Sequence, residues 1–125
     1  MFVCEHGSAK SVVAAALFNQ LAAQQGLRLR AVSRGTDPDI ENHPAAVAGL
    51  AADGLRPVAQ PCRLAPGDLA TAAAVVAFSS LPPDYTSTSP VRTWLVPPVS
   101  ENYVAARDAI ASHIRQLLAE LPRQL

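Results

Sequence analysis

Cys4 and Lys10 stand at the two ends of a short polar segment, and their spacing suits chemistry on an anion. The apolar residues 1–4 are typical of a strand, and an Ala-rich helical pattern begins near Lys10. A strand–loop–helix turn directs backbone N–H groups and the positive end of a helix dipole toward one point. The same dipoles stabilise a thiolate, which is the nucleophilic form of cysteine. The sequence therefore predicts an oxyanion cradle that contains a reactive sulfur.

The residues between these two side chains are expected to form the cradle itself. The predicted phosphate-binding residues, acting mainly through their backbone N–H groups, are Glu5, His6, Gly7, Ser8, Ala9 and Lys10. Gly7 suits a loop position with positive φ, and the Glu5 side chain is expected to face outward because it would repel an anion. Ser11 opens the helix, where its hydroxyl is positioned to stabilise the Cys4 thiolate. We therefore expect Cys4, Lys10 and Ser11 to be catalytic.

This segment resembles the signature of the low-molecular-weight protein tyrosine phosphatases and of the arsenate reductases with the same fold. That signature is a Cys, five residues and Arg-Ser directly after the first strand, and here it reads Cys4, residues 5–9 and Lys10-Ser11. Other segments resemble the family as well: Ser33-Arg34-Gly35-Thr36 after the second strand, His43-Pro44-Ala45-Ala46 at a helix start, and Trp94, Tyr103 and Arg107-Asp108-Ala109-Ile110 near the end. The resemblance extends over nearly the whole chain.

The resemblance implies a phosphatase that hydrolyses phosphomonoesters, either phosphotyrosine or an aryl phosphate, through a cysteinyl-phosphate intermediate. Cys4 would attack phosphorus, and Lys10 with the loop amides would hold the oxygens. The expected partners are a phosphate or arsenate oxyanion and a phosphorylated small molecule or protein. No metal or organic cofactor is expected.

Two positions depart from the family pattern. The family's Arg is Lys10 here, which supplies charge without the planar, bidentate fork. The family's general acid is the Asp of an Asp-Pro pair shortly after the Trp, where this chain has Pro97-Pro98. A positioned proton donor contributes about 10²–10⁴ in rate. Asp84 is a candidate proton shuttle and Tyr85 a candidate aromatic wall, the alternative being that both are ordinary loop residues.

Two other functions remain open at this point. An arsenate reductase would use Cys4 with an external thiol, because Cys62, the second of only two cysteines, is expected to be a packed small residue. A non-catalytic module would bind phosphate without turnover.

Composition excludes several other classes of protein. Ten Lys and Arg balance ten Asp and Glu, so nothing favours nucleic-acid binding. No apolar stretch reaches the length of a membrane span or resembles a leader, and the cytoplasm is the expected location. Three scattered histidines and two cysteines lack the close spacing of a zinc site. One domain over residues 1–125 is expected.

Strand and helix patterns alternate along the chain. The predicted helices cover residues 10–25, 44–53, 66–72 and 100–121, and the predicted strands cover residues 1–4, 27–33, 56–59, 73–78 and 91–96. Asn42 or His43 is expected to start the second helix and Ser100 to cap the last. The alternation predicts an α/β, three-layer sandwich with a four- or five-stranded parallel sheet. Cys4 and residues 79–90 would then share the carboxyl edge, where ligands bind.

Overall fold

Four short parallel strands form the sheet in the computed structural model, which describes residues 1–83, 85 and 90–121. They are β1 (Phe2–Cys4), β2 (Ser33–Gly35), β3 (Val75–Ala77) and β4 (Val91–Thr93). The order across the sheet is β2-β1-β3-β4, with every pair parallel. This confirms the predicted α/β fold with a four-stranded parallel sheet. The order reverses at β1, which ends at Cys4, and such a reversal opens a crevice at the carboxyl edge.

Three helices cover one face of the sheet: α1 (Lys10–Gln24), α2 (Pro44–Ala52) and α3 (Tyr103–Glu120). Their buried side chains form one cluster with Phe2 and Cys4. Val3 points to the opposite face because successive strand residues alternate, and it packs there with Leu64 and Leu69. Among the described residues, the helical structure on that face is one 3₁₀ turn, Asp68–Ala70, so the layer that they form beneath the sheet is thin.

Several elements are shorter than the sequence predicts. The second strand is Ser33–Gly35 rather than residues 27–33, and residues 56–59 form no strand. A single bridge from Gly35 to Arg63 extends the sheet instead. The last helix begins at Tyr103, and its cap is Asn102, which accepts a hydrogen bond from the N–H of Ala105. Ser100 was the expected cap, but residues 98–102 turn back on themselves through N–H bonds to the carbonyl of Pro98.

Gly7 and Gly35 bring the loop after β1 against the end of β2. Gly7 has a φ of 59°. A Cβ atom on Gly35 would lie 2.8 Å from the nitrogen of Gly7 and 2.9 Å from the carbonyl carbon of His6. Both neighbours are backbone atoms, which move only if the whole loop moves. The close approach therefore fixes the loop on the sheet.

Gly35→Ala should destabilise the protein by about 1–3 kcal/mol, because the added methyl group overpacks a backbone contact. Denaturant unfolding measures this change. Gly67→Ala is the matched control, since a Cβ there meets nothing within 4 Å. Equal stability of both variants would contradict the tight contact.

A polar network joins α2 to α3. The Tyr103 hydroxyl donates to Oδ2 of Asp53 at 2.8 Å, and Arg107 Nη1 donates to Oδ1 of Asp53 at 3.0 Å. Burial, followed by the hydrogen bond to Asp53, raises the pKa of the Tyr103 phenol far above its ordinary value. The neutral phenol is thus the form that the folded protein favours.

Tyr103→Phe should cost about 1 kcal/mol at neutral pH through loss of this hydrogen bond. Because folding raises the phenol pKa, the bond stabilises fully below the ordinary value of 10.0 and is lost as the pH rises above it. Unfolding curves at increasing alkaline pH should therefore converge for wild type and variant. A constant difference above pH 10 would contradict the assigned cause.

Candidate active site

A cavity of about 270 Å³ opens at the carboxyl edge of the sheet, beside the end of β1. Its floor and walls come from four segments of the chain: residues 4–10, the β2–α2 connection, the end of β3 and the turn before α3. The lining residues are Cys4, Glu5, His6, Ser8, Ala9, Lys10, Asp39, His43, Phe78, Ser79, Pro98, Val99 and Ser100. The predicted nucleophile and the predicted cation therefore share one cavity.

Hydrogen bonds from the β2–α2 connection hold four carbonyl groups of the loop after β1. The bonds run from Thr36 N–H to Cys4 O (3.3 Å), Asp37 N–H to Glu5 O (2.7 Å), Asp39 N–H to His6 O (2.9 Å) and His43 N–H to Ser8 O (2.9 Å). In a trans peptide the N–H points opposite to the C=O, and the chain has no cis peptide. The amides of residues 5, 6, 7 and 9 therefore point away from residues 36–43.

The start of α1 leaves further donors free. Ala9 is the N-cap and provides no side-chain hydrogen bond, and the first turn contains no acidic residue. Among the described residues, the N–H groups of residues 6–10 have no protein acceptor and the Lys10 ammonium has no ion pair. Unsatisfied amides at the positive end of a helix form an anion site. The electrostatics of the cavity therefore favour a negatively charged ligand.

Ser11 contacts the sulfur of Cys4. Its Oγ lies 3.0 Å from Sγ, and Ser11 is completely buried while Cys4 is 9% exposed. With the hydroxyl as donor, this bond stabilises the thiolate. The sequence predicted this contact from the position of Ser11 at the helix start, and the geometry brings the two atoms together as expected.

Asp39 is a residue of the cavity that the sequence analysis missed. Its Oδ2 accepts a hydrogen bond from the Ser8 hydroxyl at 2.6 Å, and its Oδ1 lies 3.4 Å from Nδ1 of His6. The sequence Asp37-Pro38-Asp39 marks a turn directly after β2, at the edge where ligands bind. This position after β2 is the feature of the sequence that could have identified Asp39.

Not every predicted residue lies in the cavity wall. Gly7 packs behind the loop against Gly35, and Ser11 lies behind Cys4. Asp84, the candidate proton shuttle, lies outside the described residues. Tyr85, the candidate aromatic wall, lies away from this cavity, because its hydroxyl donates to the carbonyl of Leu64 at 3.0 Å and its ring packs with the cluster on the other face, which agrees with the alternative of an ordinary loop residue.

The structure also shows where His43, Cys62 and Pro98 lie. His43 caps α2, its Nδ1 accepting from the N–H of Ala45 at 3.0 Å, as the helix pattern suggested, although it also lines the cavity. Cys4 and Cys62 are both free thiols. The sequence predicted that Cys62 is packed, whereas in the structure it is exposed. Pro98 lines the cavity, so the position that resembles the family's acid does lie over the site without a carboxyl group.

The described part of the chain contains neither a cluster of metal-ligand side chains nor a helix that could span a membrane. Within residues 1–83, 85 and 90–121, no group of three or more His, Cys, Asp or Glu side chains is arranged to hold a metal ion. None of the helices in these ranges combines the length and apolarity needed to cross a lipid bilayer.

The description "Low molecular weight phosphotyrosine protein phosphatase" belongs to the family whose model matches residues 1–80. The chain is a member of this family. No curated protein matches the sequence significantly.

Solved structures resemble the fold over almost its entire length. An arsenate reductase from Archaeoglobus fulgidus is 25% identical, with a TM-score of 0.76, and the alignment covers 95% of this chain and 98% of that one. An arsenate reductase in a phosphate-binding state is 20% identical, with a TM-score of 0.80 and coverage of 98% and 97%. YfkJ from Bacillus subtilis is 22% identical, with a TM-score of 0.82 and coverage of 94% and 90%.

Ser11→Ala should slow alkylation of Cys4 by iodoacetamide at neutral pH, since the thiolate loses a hydrogen-bond donor. Mass spectrometry of the peptide that contains residue 4 measures the rate. Exposed Cys62 reports on the reagent within the same sample. An unchanged Cys4 rate, with Cys62 labelled normally, would show that the hydroxyl does not activate the sulfur.

Proposed function

We propose that the protein hydrolyses phosphomonoesters, with an aryl phosphate or phosphotyrosine as substrate, through a phosphorylated Cys4. The observation that carries this proposal is the free set of amides around the sulfur, left by carbonyls that are tied to the β2–α2 connection. Membership of the phosphatase family supports the same chemistry. A non-catalytic phosphate-binding module would need the same amides, and the reactive sulfur at the cavity floor favours the enzyme.

Cys4 is the proposed nucleophile. Its thiolate attacks phosphorus in line with the ester oxygen, forming an S–P bond as the P–O bond to the leaving group breaks. The loop amides of residues 5–10 and the Lys10 ammonium stabilise the charge on the equatorial oxygens. Water then cleaves the S–P bond, which releases phosphate and restores the thiolate. No step requires a metal or an organic cofactor.

Lys10 is the proposed oxyanion-binding cation. Lys10 lines the cavity, and its ammonium has no competing carboxylate within the described part of the chain. An ammonium acts as a point charge, so the orientation of the phosphoryl group depends on the loop amides. Asp84 remains a candidate proton donor from the sequence.

Arsenate reduction is the second candidate function, and structural similarity to an arsenate reductase over 95% of this chain favours it. Cys4 would attack arsenate in the same cradle. Resolution would require an external thiol, because the cavity lining contains no second cysteine.

Purified wild type should hydrolyse p-nitrophenyl phosphate, and Cys4→Ser should lose this turnover while still binding inorganic phosphate. Lys10→Gln should weaken phosphate binding, because it removes the cation, whereas Lys10→Arg should retain it and raise turnover through the bidentate fork. Released phosphate and calorimetric titration with phosphate are the measurements.

Parallel assays with arsenate plus thiol distinguish the alternatives. Thiol-dependent arsenate reduction without phosphatase activity would favour the reductase. Phosphate binding without either turnover would leave only the binding module.

A further inference from the structure

We propose that His6 is the general acid of this active site and that Asp39 positions its imidazole. The inference rests on the proposed phosphatase function and concerns the proton that the leaving oxygen needs. The chain has Pro97-Pro98 where its family resemblance places an acid, and Pro98 does line the cavity. A donor must therefore come from another wall.

We place the proton donor at His6 because its side chain lines the cavity and is exposed. Cys4 is 9% exposed at the floor of the cavity, so in-line attack directs the leaving group outward, toward the mouth. The His6 side chain lines the same cavity and is 55% exposed. An exposed imidazole at the mouth can reach a leaving oxygen that a buried group cannot.

Asp39 fixes the position of His6 from two sides. Its N–H donates to the carbonyl of His6 at 2.9 Å, and its Oδ1 lies 3.4 Å from Nδ1 of the ring. The Ser8 hydroxyl donates to the other carboxylate oxygen at 2.6 Å, which anchors the carboxylate on the loop. The carboxylate beside Nδ1 thus orients the ring electrostatically, and Nε2 is the nitrogen that we propose donates the proton.

The other polar groups at the cavity are poorer donors. Lys10 is required at the phosphoryl oxygens, and a serine hydroxyl such as that of Ser100 is a weak acid. Asp39 already accepts a hydrogen bond from the Ser8 hydroxyl, which engages one of its two side-chain oxygens. Glu5 is 65% exposed, with Oε2 at 3.9 Å from Nε2 of His6, too far for a hydrogen bond.

These charged groups also define the electrostatic surroundings of the imidazole. Glu5 and Asp39 are negative, Lys10 is positive, and His43 is the other titratable ring that lines the cavity. Oδ1 of Asp39 lies 3.4 Å from Nδ1 of the His6 ring, and Oε2 of Glu5 lies 3.9 Å from Nε2.

His6 gives up one proton and takes one back in the course of the proposed reaction. As the S–P bond forms and the ester P–O bond breaks, the bond's electron pair moves to the leaving oxygen, which takes the proton from Nε2. The neutral imidazole then accepts a proton from the water that attacks the phosphocysteine. Phosphate leaves, the thiolate is regenerated, and His6 is again an imidazolium.

The test compares two substrates whose leaving groups differ in their need for a proton. Phenyl phosphate needs protonation of a basic oxygen, and p-nitrophenyl phosphate does not. In His6→Asn, kcat/KM, which reports on the step that breaks the ester bond, should fall about 10²-fold more for phenyl phosphate than for p-nitrophenyl phosphate.

Two further variants separate catalysis from structure. In His6→Ala, added imidazole should restore turnover of phenyl phosphate, which a purely structural role would not allow. In Asp39→Asn, the same difference between the two esters in kcat/KM should appear but be smaller than in His6→Asn, because the imidazole is still present and loses only the carboxylate beside it.

The outcomes distinguish this inference from the proposed function. An equal fall in kcat/KM for both esters in His6→Asn, with no rescue of His6→Ala by imidazole, would overturn the role of His6 alone. If Asp84→Asn produced the leaving-group signature instead, the acid would be Asp84. Absence of wild-type turnover with either ester would contradict the proposed function and this inference together.

Discussion

The active-site cavity depends on one constraint, namely that the carbonyl groups of the loop after β1 are bound by the β2–α2 connection. Four such hydrogen bonds, between 2.7 and 3.3 Å, turn the peptide planes so that the opposite N–H groups face away from that connection. Parallel pairing of β2 with β1 aligns the two segments, and the Gly7–Gly35 contact lets their backbones meet. A side chain at either glycine would separate the two layers of backbone.

Leaving these amides without protein partners has an energetic consequence. An unsatisfied buried donor costs about 1–3 kcal/mol, and α1 starts without a capping side chain that would relieve the cost. A tetrahedral anion supplies several acceptors at once and lies at the positive end of the helix dipole. Under the proposed function, stability that the free protein forgoes at this helix start is recovered when the anion binds.

Sequence reasoning located the local part of this site and missed the part made by distant segments. Cys4, Lys10 and Ser11 lie within eight consecutive positions, where strand–loop–helix geometry is set by short-range preferences. Asp39 enters through pairing of β1 with β2, which a single sequence does not encode locally. Tyr85 illustrates the opposite case, because its loop belongs to the correct edge while its ring packs beneath the sheet. Asn102 replaced Ser100 as the cap of α3 because hydrogen bonds to Pro98 turn the intervening chain.

The strands are also shorter than their apolar patterns, for a physical reason. Residues 27–31 and 95–96 make no backbone hydrogen bonds to a neighbouring strand, so the apolar periodicity there reflects packing of connections rather than strand pairing. The apolar pattern of the strands did predict which residues face each layer beside the sheet. Alternation of Phe2 and Val3 between the two faces, for example, places Cys4 on the helix side, where α1 begins.

In the proposed mechanism, an ammonium in place of the family's guanidinium changes which groups orient the phosphoryl group and which only neutralise its charge. A guanidinium both neutralises and orients the phosphoryl group, but Lys10 can only neutralise it. Orientation then falls to the amides, whose directions are fixed by residues 36–43. The same connection provides Asp39, which contacts Ser8 and His6. In the proposed mechanism, one segment therefore sets both the angle at which phosphorus meets the sulfur and the place from which a proton arrives, so the two requirements of phosphoryl transfer are coupled through a single piece of backbone.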